Sequence, residues 1–349
     1  MAVAVNPAVL VVSCLVCIVG CFGNGTLIFL VAKHKQLKTM RNAFLLNIAV
    51  ADILAALSAA LFAVTVSFEG IWIFGLGMCR VHHFLYTVYQ AVAIFTLTFL
   101  SVERCVKHFN PSCGLDTVRN WVAATILVFL WLIPLILGIP DVIFAELKPT
   151  FNGTYVCFIH PPSNLRHMYQ VLDAGLKFAI LLAIPLLITA VSFSVMFFTR
   201  KARSRPGIDK KSRTVSENEE HDMEHVQSQG TGTDASGGSR QRSHGSTKLV
   251  LALVLVYVIC WLPIHVYQMW FFLGRSGYNN MWAAFKVFAD CMCLVDCCLR
   301  AWVVFGVDPT FKHYFKTHLC CCFYKRDEAE IIPLDDQTAL PAKGSFKYA

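Results

Sequence analysis

Seven stretches of this sequence stay apolar for more than twenty residues at a time, and nothing else in the chain narrows its fold as much. They lie at roughly 8–32, 42–67, 80–105, 119–144, 168–198, 247–272 and 282–307. About 20 apolar residues in α-helix cross the hydrocarbon core of a bilayer, where a helix satisfies its backbone polar groups internally. A membrane β-barrel would show short segments of alternating polarity instead. Only 15% of the residues are charged, against roughly 25% in soluble domains, so a water-soluble core is not a credible home for these runs. The fold class expected is an all-α membrane protein, a seven-transmembrane helix bundle.

Sidedness follows from the placement of lysine and arginine in the connections. One set carries Lys33, Lys35, Lys38 and Arg41, then Arg104, Lys107 and Arg119, then a dense group from Arg200 to Arg213. Lys312, Lys316, Lys325 and Arg326 follow the last span on that same side. The other set has Arg80, Lys148, Arg166 and Arg275. This bias predicts an extracellular N-terminus and a cytoplasmic tail. It also accounts for most of the net charge of +8, so no nucleic-acid partner is inferred. The first span starts too early and runs too long for a cleaved signal peptide. Residues 204–246 are polar and nearly free of large apolar side chains, which predicts a disordered cytoplasmic loop. One membrane domain is expected over 1–319, with a cytoplasmic tail over 320–349.

The fifteen cysteines sort by side. Cys79 and Cys157 both fall on the outer, oxidising side, where a disulfide between them would tie a loop over the bundle mouth. Most others lie within spans and read as small buried hydrophobes. Cys320, Cys321 and Cys322 follow the short amphipathic stretch "FKHYFKTHLCCC". Just inside a membrane, that context favours palmitoylation over a metal site, which lacks paired ligands elsewhere. Asn152 opens an outer-loop glycosylation sequon. No nucleophile–base pair or His-Glu metal motif falls at membrane depth, so neither an enzyme nor a cofactor is expected. A transporter or channel is disfavoured, because no internal repeat appears and the intramembrane charges are too few to line a path.

Several motifs fall in order along these spans. They are Gly23-Asn24, "LNIAVAD" ending at Asp52, "WIFGLGMC" from Trp72, and "SVERCVKHFNP" containing Glu103-Arg104. Trp131, Pro185, "CWLP" at 260–263 and "DPTFK" from Asp308 follow. With them the chain resembles a rhodopsin-like G-protein-coupled receptor, of the peptide-receptor kind, over nearly its full length. The resemblance implies a plasma-membrane receptor with a short amphipathic eighth helix after "DP". It implies G-protein coupling at Glu103 and Arg104, an activation switch at Trp261, and a heterotrimeric G protein as partner. An arrestin and membrane lipid are further partners it implies. It also places His83, Tyr86, Gln90, Lys177, His265, Gln268 and Asp290 near an outer ligand pocket. Tyr86 stands where amine receptors carry an aspartate, which argues against an amine. The mixed lining suits a peptide or small zwitterion, and the short N-terminal stretch leaves little for a large protein ligand to hold.

The seventh span departs from the resembled pattern. The family's "NSCLNPxxY" reads here "DCCLRAWVV", from Asp296 to Val304. Val304 and Phe193 replace two tyrosines whose hydroxyls support the active state in relatives, and neither has a hydroxyl. A receptor-fold protein with atypical or constitutive coupling is therefore the alternative reading. In relatives a second-helix aspartate helps to hold sodium; here Asp52 is kept, while Ala93 and Arg300 replace other polar ligands. An intramembrane arginine should pair rather than stay alone. The expectation is an internal ion pair, Asp52 with Arg300, in which a planar guanidinium fork stands in for the ion and Asp296 takes a second bond.

Overall fold

Helices dominate because an apolar environment leaves backbone groups no partners but each other. The computed structural model describes residues 7–67, 71–110, 115, 119–150, 153–162, 164, 166–204, 234–273 and 280–319. Asn152 and Cys320, Cys321 and Cys322 lie outside the described residues. The helices are α1 (Pro7–Lys33), α2 (Met40–Ser67), α3 (Gly75–Phe109) and α4 (Asn120–Phe144). A hairpin follows, β1 (Ala145–Pro149) and β2 (Tyr155–Ile159), then α5 (Arg166–Phe178) and α6 (Ile184–Ser204). The chain closes with α7 (Asp234–Leu273), α8 (Asn280–Val307) and α9 (Pro309–Leu319).

Among the described residues six spans are long and apolar enough to cross a membrane, with α5 and α6 forming one of them. The 28 residues of α8 are long enough, but Lys286, Asp290, Asp296 and Arg300 dilute its hydrophobicity. Helix α9 is the short eighth helix: Pro309 occupies its first turn and Asp308 Oδ1 accepts the Thr310 and Phe311 amides at 2.9 and 3.3 Å. The sixth span was expected to start near 247. Helix α7 instead begins at Asp234, inside the stretch read as a disordered loop, because a nucleated helix propagates at small cost per residue.

Between α5 and α6 the chain widens into a π-turn, Ala179–Ala183. The cause sits two residues on. Pro185 has no N–H, and its ring crowds the carbonyl four residues back, at Leu181. That freed carbonyl accepts the Tyr257 hydroxyl at 2.7 Å, so a local defect becomes a link to α7. Elsewhere a Cβ on Gly138 would come within 2.7 Å of the Phe84 ring, and only glycine permits α3 and α4 to meet there. Trp131 Nε1 donates to Asn47 Oδ1 at 2.6 Å, and Asn47 in turn donates to Thr96 at 2.8 Å, joining α4, α2 and α3. Asn24 Nδ2 reaches the Cys297 carbonyl at 2.9 Å, joining α1 to α8. The core between these contacts is aliphatic and aromatic, with Leu97, Ile94, Phe44 and Trp261 fully buried.

The hairpin pairs antiparallel with Leu147 opposite Cys157. Gly153, at φ +74°, makes the tight reversal after Thr150. A disulfide joins Cys157 on β2 to Cys79 on α3, and the Trp72 amide donates to the Tyr155 carbonyl at 2.7 Å.

Candidate ligand cavity

Beneath that hairpin the helices enclose a cavity of about 730 Å³, within the usual range for ligand sites. Helices α3, α5, α7 and α8 bring polar groups to it. His83, Tyr86 and Gln90 come from α3, Lys177 from α5, His265 and Gln268 from α7, and Asp290 from α8. The structure thus brings all seven expected residues to one chamber. Sequence reasoning missed Asp141 on α4, Tyr169 and Asp173 on α5, His82 on α3 and Lys286 on α8, which line it too. A signal was available, since every ionisable side chain in a span merits scrutiny.

The charges form two clusters. On one wall Lys177 Nζ lies 2.7 Å from Asp141 Oδ1 and 3.0 Å from Asp173 Oδ2. The other Asp141 oxygen accepts the Thr87 hydroxyl at 2.5 Å. On the opposite wall Lys286 pairs with Asp290 at 2.6 Å, one helical turn apart. Toward the floor, Gln90 Nε2 donates to the Tyr257 hydroxyl at 3.2 Å and faces His265 Nε2 at 2.9 Å. An amide N–H can only donate, so His265 Nε2 is an acceptor and its proton resides on Nδ1. That Nδ1 is buried without a protein partner, as are His83 Nε2 and the Tyr169 hydroxyl. His82 Nδ1 is 2.9 Å from the Ser58 hydroxyl.

Below the chamber, Trp261 stacks on Tyr257 with ring centres 5.8 Å apart and meets Tyr86 edge-on at 5.5 Å. Its indole N–H donates to Asp296 Oδ2 at 2.7 Å. Arg300 Nη2 lies 2.6 Å from the same oxygen and 2.7 Å from Asp52 Oδ1. All three ionisable groups are essentially sealed, at 0–2% exposure. The expected fork differs in one respect: a single nitrogen serves both carboxylates. Asp296 sits one turn before Arg300 and Asp52 sits across the helix interface, so the guanidinium edge cannot face both. Arg300 Nε and Nη1 make no hydrogen bond, and Asp52 is held by charge proximity rather than an aligned bond.

At the far end of α3, Glu103 and Arg104 pair side by side, and Glu103 Oε1 also accepts the Leu115 amide at 3.2 Å. Both are buried.

Residues 23–300 match the family described as 7 transmembrane receptor (rhodopsin family). The chain belongs to that family. Its membership makes it a multi-pass membrane protein and a receptor rather than an enzyme. Among its relatives is the Neuropeptide CCHamide-1 receptor of Drosophila melanogaster, 27% identical over 88% of this chain and 59% of that protein. The Tachykinin-like peptides receptor 86C of the same organism is 25% identical over 86% of this chain and 56% of its own length. Somatostatin receptor type 4 of Rattus norvegicus is 28% identical over 95% of this chain and 78% of its own. The chain therefore spans less than two thirds of the first two relatives. In this rhodopsin-family member, Val304 and Phe193 occupy buried and half-buried helix positions, as apolar side chains in a bundle do.

Proposed function

We propose that this chain is a plasma-membrane receptor, N-terminus outside, that binds an extracellular peptide or small zwitterion and signals to a heterotrimeric G protein. An arrestin is a further partner in this reading. The observation that carries it is the 730 Å³ chamber under a disulfide-held hairpin, lined by paired charges and by polar atoms that no protein group satisfies. Unsatisfied buried polar groups are costly and are well suited to a polar ligand. Two relatives carry peptides in their names, which supports the ligand class. His83, Tyr86, Gln90, Lys177, His265, Gln268 and Asp290 are the proposed contacts. Glu103 and Arg104 form the proposed coupling pair, released when a G-protein segment docks. Trp261 is the proposed switch, since it touches the chamber floor and the Asp296–Arg300 pair together. We also assign Arg300 the part of a built-in counter-cation to Asp52. Glycosylation at Asn152 and palmitoylation at Cys320, Cys321 and Cys322 complete the proposal.

The test is G-protein dissociation in cells expressing the full chain and exposed to a peptide library. A peptide-dependent response should appear and should vanish in Arg104→Ala at matched surface level. A second reading, a receptor fold without ordinary coupling, is favoured by the apolar Val304 and the occupied Arg300 position. Saturable peptide binding with no G-protein dissociation would select it.

A further inference from the structure

The two charge clusters in the chamber are not equivalent. Among the described residues lining it are three aspartates, Asp141, Asp173 and Asp290, and two lysines, Lys177 and Lys286. Counting each carboxyl as ionised and each imidazole as neutral near pH 7.4, the lining carries one surplus negative charge. Its location is identifiable. Lys286 and Asp290 cancel on α8. Asp141, at 1% side-chain exposure, spends one oxygen on Lys177 and the other on Thr87. Lys177 therefore neutralises the more deeply buried carboxylate, and Asp173, at 25% side-chain exposure, is left as the accessible anion.

We propose that Asp173 receives a cationic group of the ligand, a guanidinium or an ammonium, so that the ligand is a basic peptide; this rests on the peptide-receptor reading above. Three further features fit. Tyr169 lies one turn before Asp173 on α5, and its buried hydroxyl has no protein partner, so it is available as an acceptor for a second N–H of the same cation. Its ring packs edge-on against Phe144 at 4.7 Å, which fixes the hydroxyl in place. His265, 2% exposed, offers an unpaired Nδ1–H, a donor suited to a peptide carbonyl. A chamber with low-dielectric walls concentrates the field of one surplus charge far more than open solvent does. An anionic ligand group would meet the opposite situation, because each lysine is already paired.

The test uses two small probes of matched shape, acetyl-arginine amide and acetyl-citrulline amide, titrated against the purified full-length receptor while its melting temperature is followed. The arginine probe should stabilise saturably, with an affinity about tenfold or more above that of its neutral twin. Asp173→Asn should erase that preference and Asp173→Glu should retain part of it. Equal behaviour of the two probes in the wild type, binding by neither, or an arginine preference that survives Asp173→Asn would overturn the proposal. The wild-type comparison needs no variant, so poor folding of a mutant does not rescue it. Failure of the receptor reading is separable. Arginine preference together with no G-protein response to any basic peptide would keep the cation site and discard coupling. Agonists drawn only from neutral or acidic peptides would do the reverse.

Discussion

Lys177 and Arg300 each sit between two aspartates, yet the two sites meet water differently. Around Lys177 the cation is 19% exposed and Asp173 opens to the chamber. Around Arg300 all three groups are sealed, and the Trp261 indole joins them as a neutral donor. Both sites set one basic side chain between two carboxyl groups, an excess of one acid over base. In the open site the excess charge is available to whatever enters. In the closed one nothing from solvent reaches it, so the excess must be tolerated by the fold or offset by donors such as Trp261. Position relative to water, rather than the number of ionisable groups, is what distinguishes the two sites.

Cutting the cation out of each site should sharpen that contrast. Arg300→Ala leaves Asp52 and Asp296 buried together and should lower stability by about 3–5 kcal/mol, read as a large drop in melting temperature and surface yield. The double change Asp52→Asn with Arg300→Asn should recover part of the loss; strictly additive effects would show that the two residues do not act as a pair. A milder effect is expected at the open site. Lys177→Met should cost less than Arg300→Ala, because Lys177 and Asp173 meet water and Asp141 keeps the Thr87 hydroxyl. A loss as large as that of Arg300→Ala would break the comparison. The smallest expected effect is none at all: replacing sodium by choline at constant ionic strength should leave the melting temperature of the wild type unchanged, since Arg300 already supplies the cation beside Asp52. A clear sodium dependence would mean that a second cation enters the sealed site.

How far these sites were legible in the sequence depends on the length scale involved. Twenty-residue apolar runs are set by bilayer thickness, so the long spans could be read directly, whereas the short α9 was expected only from the family resemblance at "DPTFK". The Arg300 site was readable for a related reason, because an arginine in hydrocarbon demands an anion and Asp52 falls at its depth. Asp141, Asp173 and Lys286 were missed because each looks like an ordinary helix-end charge until three helices are brought together. The π-turn before Pro185 was likewise invisible. A proline announces a missing hydrogen bond, but whether the helix kinks or widens depends on Tyr257, some seventy residues away, being placed to take the Leu181 carbonyl. The early start of α7 has a similar origin, since polar residues next to an apolar span inherit a nucleus they could not form alone.

The β1–β2 hairpin over the chamber bears on timing. It is fastened to α3 by a covalent bond and to the Trp72 backbone by a hydrogen bond, so little ordering is left to be done when a ligand arrives. The cover is fixed over the chamber beforehand. We expect such an arrangement to slow entry and exit alike and to favour long occupancy over rapid turnover. Variants that loosen the hairpin should therefore shorten residence time before they change which molecules bind.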